Sequence, residues 1–91
     1  MILRVSSKTE PTKLAGAIAG ILRNEGPAEM HACGAGSVNQ AVKAIAIAKM
    51  YLRNEQKDAY VEPYFDNVLI GEDQKEKTII RLVVTEMPYV A

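Results

Sequence analysis

The chain has 91 residues, 48% of them hydrophobic and 24% charged, with eleven bases balancing eleven acids. That length supports one modest core and a single domain over 1–91, while the zero net charge argues against a strong nonspecific polyanion binder. A lone cysteine, Cys33, and a lone histidine, His31, exclude a disulfide framework and a conventional zinc site. With no long apolar run and no leader-type opening, no membrane association is expected; the single cysteine fits a reducing cytoplasm, and no cofactor is expected.

Ile2–Ser6 alternates Leu3 and Val5 with Arg4 and Ser6, which predicts an edge or half-buried strand. Ser7, Lys8, Thr9 and Glu10 form a polar connection. Thr9 or Glu10 is placed to cap a helix, with Pro11 in its first turn. From Pro11 to Glu25, Leu14, Ala17, Ile18, Ile21 and Leu22 fall on one helical face, with Thr12, Ala19 and Arg23 opposite. Gly16 and Gly20 lie on the outer side, each costing about 1 kcal/mol relative to alanine. Close approach of another backbone is expected there, with ligand contact as the alternative. Gly26-Pro27 stops the helix.

Ala28–Cys33 predicts a short strand with Ala28, Met30 and Ala32 on one side and Glu29, His31 and Cys33 on the other. His31 has no evident partner and reads as structural or exposed, with a pH-sensitive or catalytic role as the alternative. Cys33 reads as a small packed residue, although a neighbouring helix N-terminus would lower its pKa. The following Gly34-Ala35-Gly36 predicts a small-residue turn into a helix. Ser37 has the chemistry of its N-cap, and Gln40 stands where a capping box places Glu or Gln. Such a turn leaves backbone N–H groups of residues 34 to 38 at the positive end of a helix dipole, which suits a phosphate. The same spacing also fits a tight connection that binds nothing.

Val38–Arg53 predicts the second helix, with Val38, Ala41, Val42, Ile45, Ala48 and Leu52 packing on the sheet. Asn39 and Lys43 occupy its outer face near the glycine turn. Farther along, Ile47, Met50 and Tyr51 stand where a solvated face would be polar. That patch predicts a homodimer through the second half of this helix, unless a strand of the same chain covers it.

Asn54–Asp58 is a polar connection, and Ala59–Ile70 is an extended segment in which Pro63 requires a bulge or a sheet edge. Gly71–Gln74 predicts a turn. Lys75–Glu86 is the strongest strand, with Ile80, Leu82 and Val84 on one side and Ile79, Arg81 and Val83 on the other. The hairpin tip carries Glu72, Asp73, Lys75, Glu76 and Lys77, a mixture that reads as a solvated turn, and 87–91 reads as a loose tail. The order β-α-β-α-β-β predicts an α/β two-layer sandwich, a four-stranded mixed sheet with two helices on one face. A dinucleotide-binding reading of the glycine turn fails, because Asn39 holds the third glycine position and no doubly wound sheet fits this length. Charge is uneven along the chain: residues 1–54 carry seven bases against three acids, and the remainder four bases against eight acids.

Lys8, the segment Leu14-Ala15-Gly16-Ala17-Ile18-Ala19-Gly20, and above all Gly34-Ala35-Gly36-Ser37-Val38-Asn39-Gln40-Ala41-Val42-Lys43-Ala44 closely resemble the stage V sporulation protein S family. That family is similar to the wider Alba group of dimeric DNA- or RNA-binding proteins. The resemblance implies an Alba-like fold, a dimer built partly on the second helix, and a regulatory nucleic-acid-binding role. It places contacts at Ser7 and Lys8 in the first strand-to-helix loop, and at Gly34, Ala35, Gly36, Asn39 and Lys43 around the second. The chain departs from the archaeal Alba pattern in having Ala35 for a basic residue, Lys8 for a lysine pair and an acidic-rich hairpin. Modest, salt-sensitive affinity is therefore expected. The alternative is a protein–protein interaction module whose glycine loop is only a turn. No paired carboxylates, no nucleophile with a base and no metal cluster point to an enzyme.

Overall fold

Short alternating strands and helical-period apolar stripes bury both surfaces at once when the helices lie on one face of the sheet. The computed structural model, which describes residues 1–90, adopts that solution. Its elements are β1 (Ile2–Val5), α1 (Pro11–Asn24), β2 (Ala28–Ala32), α2 (Ala35–Arg53), β3 (Lys57–Ile70) and β4 (Lys75–Pro88). The sheet order is β1-β2-β4-β3, with β1 parallel to β2 and β4 antiparallel to both its neighbours. Register places Leu3, Met30 and Leu82 in one row and Ala28 beside Val84. Ile18, Met30, Leu52 and Val84, one each from α1, β2, α2 and β4, are the large side chains wholly withdrawn from water. Each contributes about 1.5–3 kcal/mol through its burial. Among the described residues no helix is long and apolar enough to cross a membrane.

Both helices are rotated from the expected phase. On α1, Ala15 and Ala19 are wholly buried beside Ile18, and Ala17 faces solvent. On α2, Ala44 is buried while Val42 is 54% exposed. The cause is that α1 and α2 pack on each other as well as on the sheet, so each buries a wider arc, centred between two neighbours. Alanines at 15, 19, 41, 44 and 48 line that arc and permit close helix packing. The same widening half-buries Ile47 and Tyr51 against the core. Of the three residues expected to form an outer apolar patch, only Met50 stands clear, at 66% exposure. Among the described residues, nothing beyond the helix's own neighbouring backbone lies within 4 Å of where a Cβ would stand at Gly16 or Gly20, so the expected close backbone approach is not made among them.

Pro63 lies on the edge strand and pairs in continuous register opposite Leu82, without a bulge. β2 stops pairing with β4 at Ile80, whereas β3 and β4 remain paired from there to Ile70 and Lys75. The last five pairs therefore form a two-stranded ribbon reaching about 17 Å beyond the sheet. The expected loose tail is instead ordered through residue 89: Met87 and Pro88 extend β4, Tyr89 N donates to the Gln56 carbonyl, and Arg53 lies over the Tyr89 ring.

Candidate nucleic-acid interface

Both strand-to-helix loops leave the sheet at the same end, because β1 and β2 are parallel neighbours. The first is a self-closed turn. Ser6 N donates to Thr9 Oγ1 at 2.8 Å, Lys8 N to Ser6 Oγ at 3.2 Å, and Thr9 N to the Ser6 carbonyl at 3.1 Å. Thr9 is thus spent on the turn rather than on capping, and Glu10, the N-cap residue of α1, makes no side-chain cap bond. Pro11 occupies the start of α1 as its fixed φ favours.

The second loop is tighter than expected. Gly34 takes φ +89°, a value that suits glycine, and α2 begins at once with Ala35. Ser37 is therefore not the N-cap; it lies in the first helical turn with its side chain buried. Gln40 does not close a capping box but reaches across to the other loop, donating through Nε2 to the Thr9 carbonyl at 2.9 Å. Val38 N already bonds the Gly34 carbonyl, so the N–H groups left at the start of the helix are those of Ala35, Gly36 and Ser37.

Gly36 shows how the loops meet. A Cβ there would stand 2.9 Å from Ser7 Cβ and 3.7 Å from Ser7 Cα. Glycine at 36 lets the first loop sit directly on the first turn of α2. Ser7, Lys8, Gly34, Ala35, Gly36, Asn39 and Lys43 are all exposed, so this corner is open to solvent. Because α2 starts three residues earlier than expected, Lys43 stands two turns into it, on the face that carries Gly36 and Asn39.

The charge arrangement favours this end of the molecule. At the far end of α2, Lys49 and Arg53 are held by Asp58 at 3.5 and 3.4 Å. The Asp58 carboxyl is kept below its usual pKa chiefly by the Ala59 N–H, and further by those two cations. Lys13 pairs with Glu10, and Arg23 makes a two-pronged bond to Glu55. Among the described residues, Lys8, Lys43, Arg4 and Lys77 are the bases without an acidic partner. The two lysines of the candidate site are thus uncommitted. Among the described residues no group of three or more His, Cys, Asp or Glu could hold a metal ion.

The structure adds Val42, which helical spacing assigns to the core, to the exposed apolar residues of this side. Val42 and Met50 project from the outer face of α2, and Phe65, 82% exposed, stands beside Ala35 and Val38 across a depression of about 210 Å³. A helical wheel centred one residue earlier, on Ala41, Ala44 and Ala48, would have put Val42 outside.

The family described as Stage V sporulation protein S (SpoVS) matches residues 1–87. The chain belongs to that family. Among solved structures, this stage V sporulation protein S family member is similar to Alba from Thermoplasma volcanium. The TM-score is 0.58 at 17% identity, over 94% of this chain and 98% of that one. At that identity the likeness establishes the shared Alba-like fold.

Proposed function

We propose that this protein is a nucleic-acid-binding regulatory protein that works as a homodimer and holds phosphate backbone with its two strand-to-helix loops. The observation that carries the reading is the seating of Ser7 on Gly36, which joins the loops into one open surface. In this reading the N–H groups of Ala35, Gly36 and Ser37 hold one phosphate at the helix N-terminus. Lys43, about 12 Å along the helix from Ala35, meets a phosphate farther along the strand, and Lys8 adds charge from the first loop. Asn39 offers a neutral hydrogen bond, whereas Gln40 is occupied by Thr9. Ala35 supplies no charge but lets a strand approach the backbone. The Alba-like fold, which the sequence resemblance associates with nucleic-acid binding, supports the same reading.

The dimer in this proposal is centred on Met50 and Val42, with Ile47 and Tyr51 contributing only their exposed edges. Binding rather than catalysis is the proposed activity. The setting in sporulation follows the family's name, and the unpaired Cys33 fits a reducing, cytoplasmic location. Fluorescence anisotropy with labelled RNA, single-stranded DNA and duplex DNA at low and moderate salt tests the proposal. Binding that weakens with salt and falls on Lys43→Glu is expected.

A second reading, a protein–protein interaction module, is favoured by the apolar side chains of β3, where Phe65 and Leu69 are 82% and 62% exposed. No binding of any nucleic acid at tens of micromolar would select it.

A further inference from the structure

The open face of the sheet, opposite the helices, holds a cavity that the phosphate-binding reading does not use. Its volume is about 330 Å³, at the lower end of the range of about 300–1,000 Å³ typical of small-molecule sites. The register sets Arg4 of β1 beside His31 of β2. The projecting ribbon brings Val68 and Ile70 to the same cavity, and Cys33 and Ile79 are also among the residues that line it. Ile79 is only 4% exposed although it lies outside the main core cluster.

The charges in and beside the cavity are specific. Glu29 is already engaged, accepting from Arg81 at 3.1 Å and lying 3.2 Å from His31 Nε2. Arg81 is further held by Asp66 and stacks on Tyr64. Arg4, by contrast, has no acidic partner among the described residues. The cavity thus combines one uncommitted guanidinium with aliphatic walls. A guanidinium offers paired donors that match the oxygens of a carboxylate or a phosphate.

We infer that this cavity binds a small amphipathic anion: a carboxylate or phosphate monoester held by Arg4, with a short aliphatic body against Val68, Ile70 and Ile79. The site borders the second strand-to-helix loop at Cys33, but its proposed contacts, Arg4, Val68, Ile70 and Ile79, are not those of the phosphate-binding reading, so it does not depend on nucleic-acid binding. A ¹H–¹⁵N NMR titration of the full chain tests it, using hexanoate, hexyl phosphate, 1-hexanol and hexylammonium as probes. Both anions should shift the amides of Arg4, His31 and Ile79 saturably and bind at least about tenfold tighter than 1-hexanol, since only they make charge-assisted bonds to Arg4. The tighter of the two identifies the headgroup, and hexylammonium should not saturate. Arg4→Gln, at an exposed position, should bring hexanoate to the level of 1-hexanol while the remaining spectrum is unchanged. Val68→Asp, on the projecting ribbon, should weaken both anions. Equal binding of 1-hexanol and hexanoate by the unaltered protein would overturn the inference. So would undiminished hexanoate binding by Arg4→Gln, or no saturable shift by either anion up to about 10 mM.

Discussion

Replacing Gly36 with alanine tests the loop contact through its sign. In a helix the change normally stabilises by about 1 kcal/mol, because glycine has the poorer propensity. Here the added methyl would meet Ser7 Cβ at 2.9 Å, against an optimum of about 3.5–4.0 Å for carbon pairs. Ser7 cannot relieve this by changing rotamer, since Cβ moves only with the backbone. That backbone is closed by the Ser6–Thr9 bonds and clamped by Gln40. Overpacking of this kind costs about 1–3 kcal/mol, so the net expectation is a loss of about 1 kcal/mol. For a domain this small that lowers Tm by about 4–8 °C. Gly16→Ala is the matched control, mid-helix with nothing within 4 Å, and should raise Tm by a similar amount. Thermal unfolding followed by circular dichroism, at one protein concentration, reads both. If Gly36→Ala stabilises as much as Gly16→Ala, the first loop does not rest on α2 and the single-surface argument fails.

Met50→Asp should convert the proposed dimer to a monomer in sedimentation velocity; an unchanged dimer would remove α2's outer face as the interface. Arg23 and Glu55 join the C-terminal ends of the two helices. The bond to Arg23 holds the Glu55 carboxyl below its ordinary pKa of 4.5. A depressed carboxylate stabilises the fold above the ordinary value and loses that contribution as pH falls through the lower, folded one. The difference in urea midpoint between the unaltered protein and Glu55→Gln should therefore be present at neutral pH and shrink below about pH 4. A difference independent of pH would show that the pair contributes nothing through its charge; the pair is exposed, so the effect is small.

Element order, strand faces and the edge position of Pro63 were legible because they follow from period and local chemistry. The rotation of α2 was not, since Val42 and Ala44 compete for the core by helix-on-helix packing, and a single-helix stripe favours the larger side chain. The start of α2 was misplaced because Ser37 matches the cap rule in isolation, whereas the positive φ at Gly34 begins the helix three residues sooner. That glycine at 36 leaves room for a close neighbour is legible in the residue type; that the neighbour is Ser7, almost thirty residues away, is not. His31 lacked a sequence partner because Glu29 and Arg81 meet it only through strand alternation and cross-strand register.

The central claim is that Lys8 and Lys43 flank one phosphate-binding surface. Anisotropy titrations of the unaltered protein, Lys8→Gln, Lys43→Gln and the double variant, repeated across a salt series, test it most directly. The account predicts that each substitution weakens binding to every sequence alike and lowers the log–log salt slope by about one per contact removed. Affinity and slope that stay the same in all four proteins would contradict it.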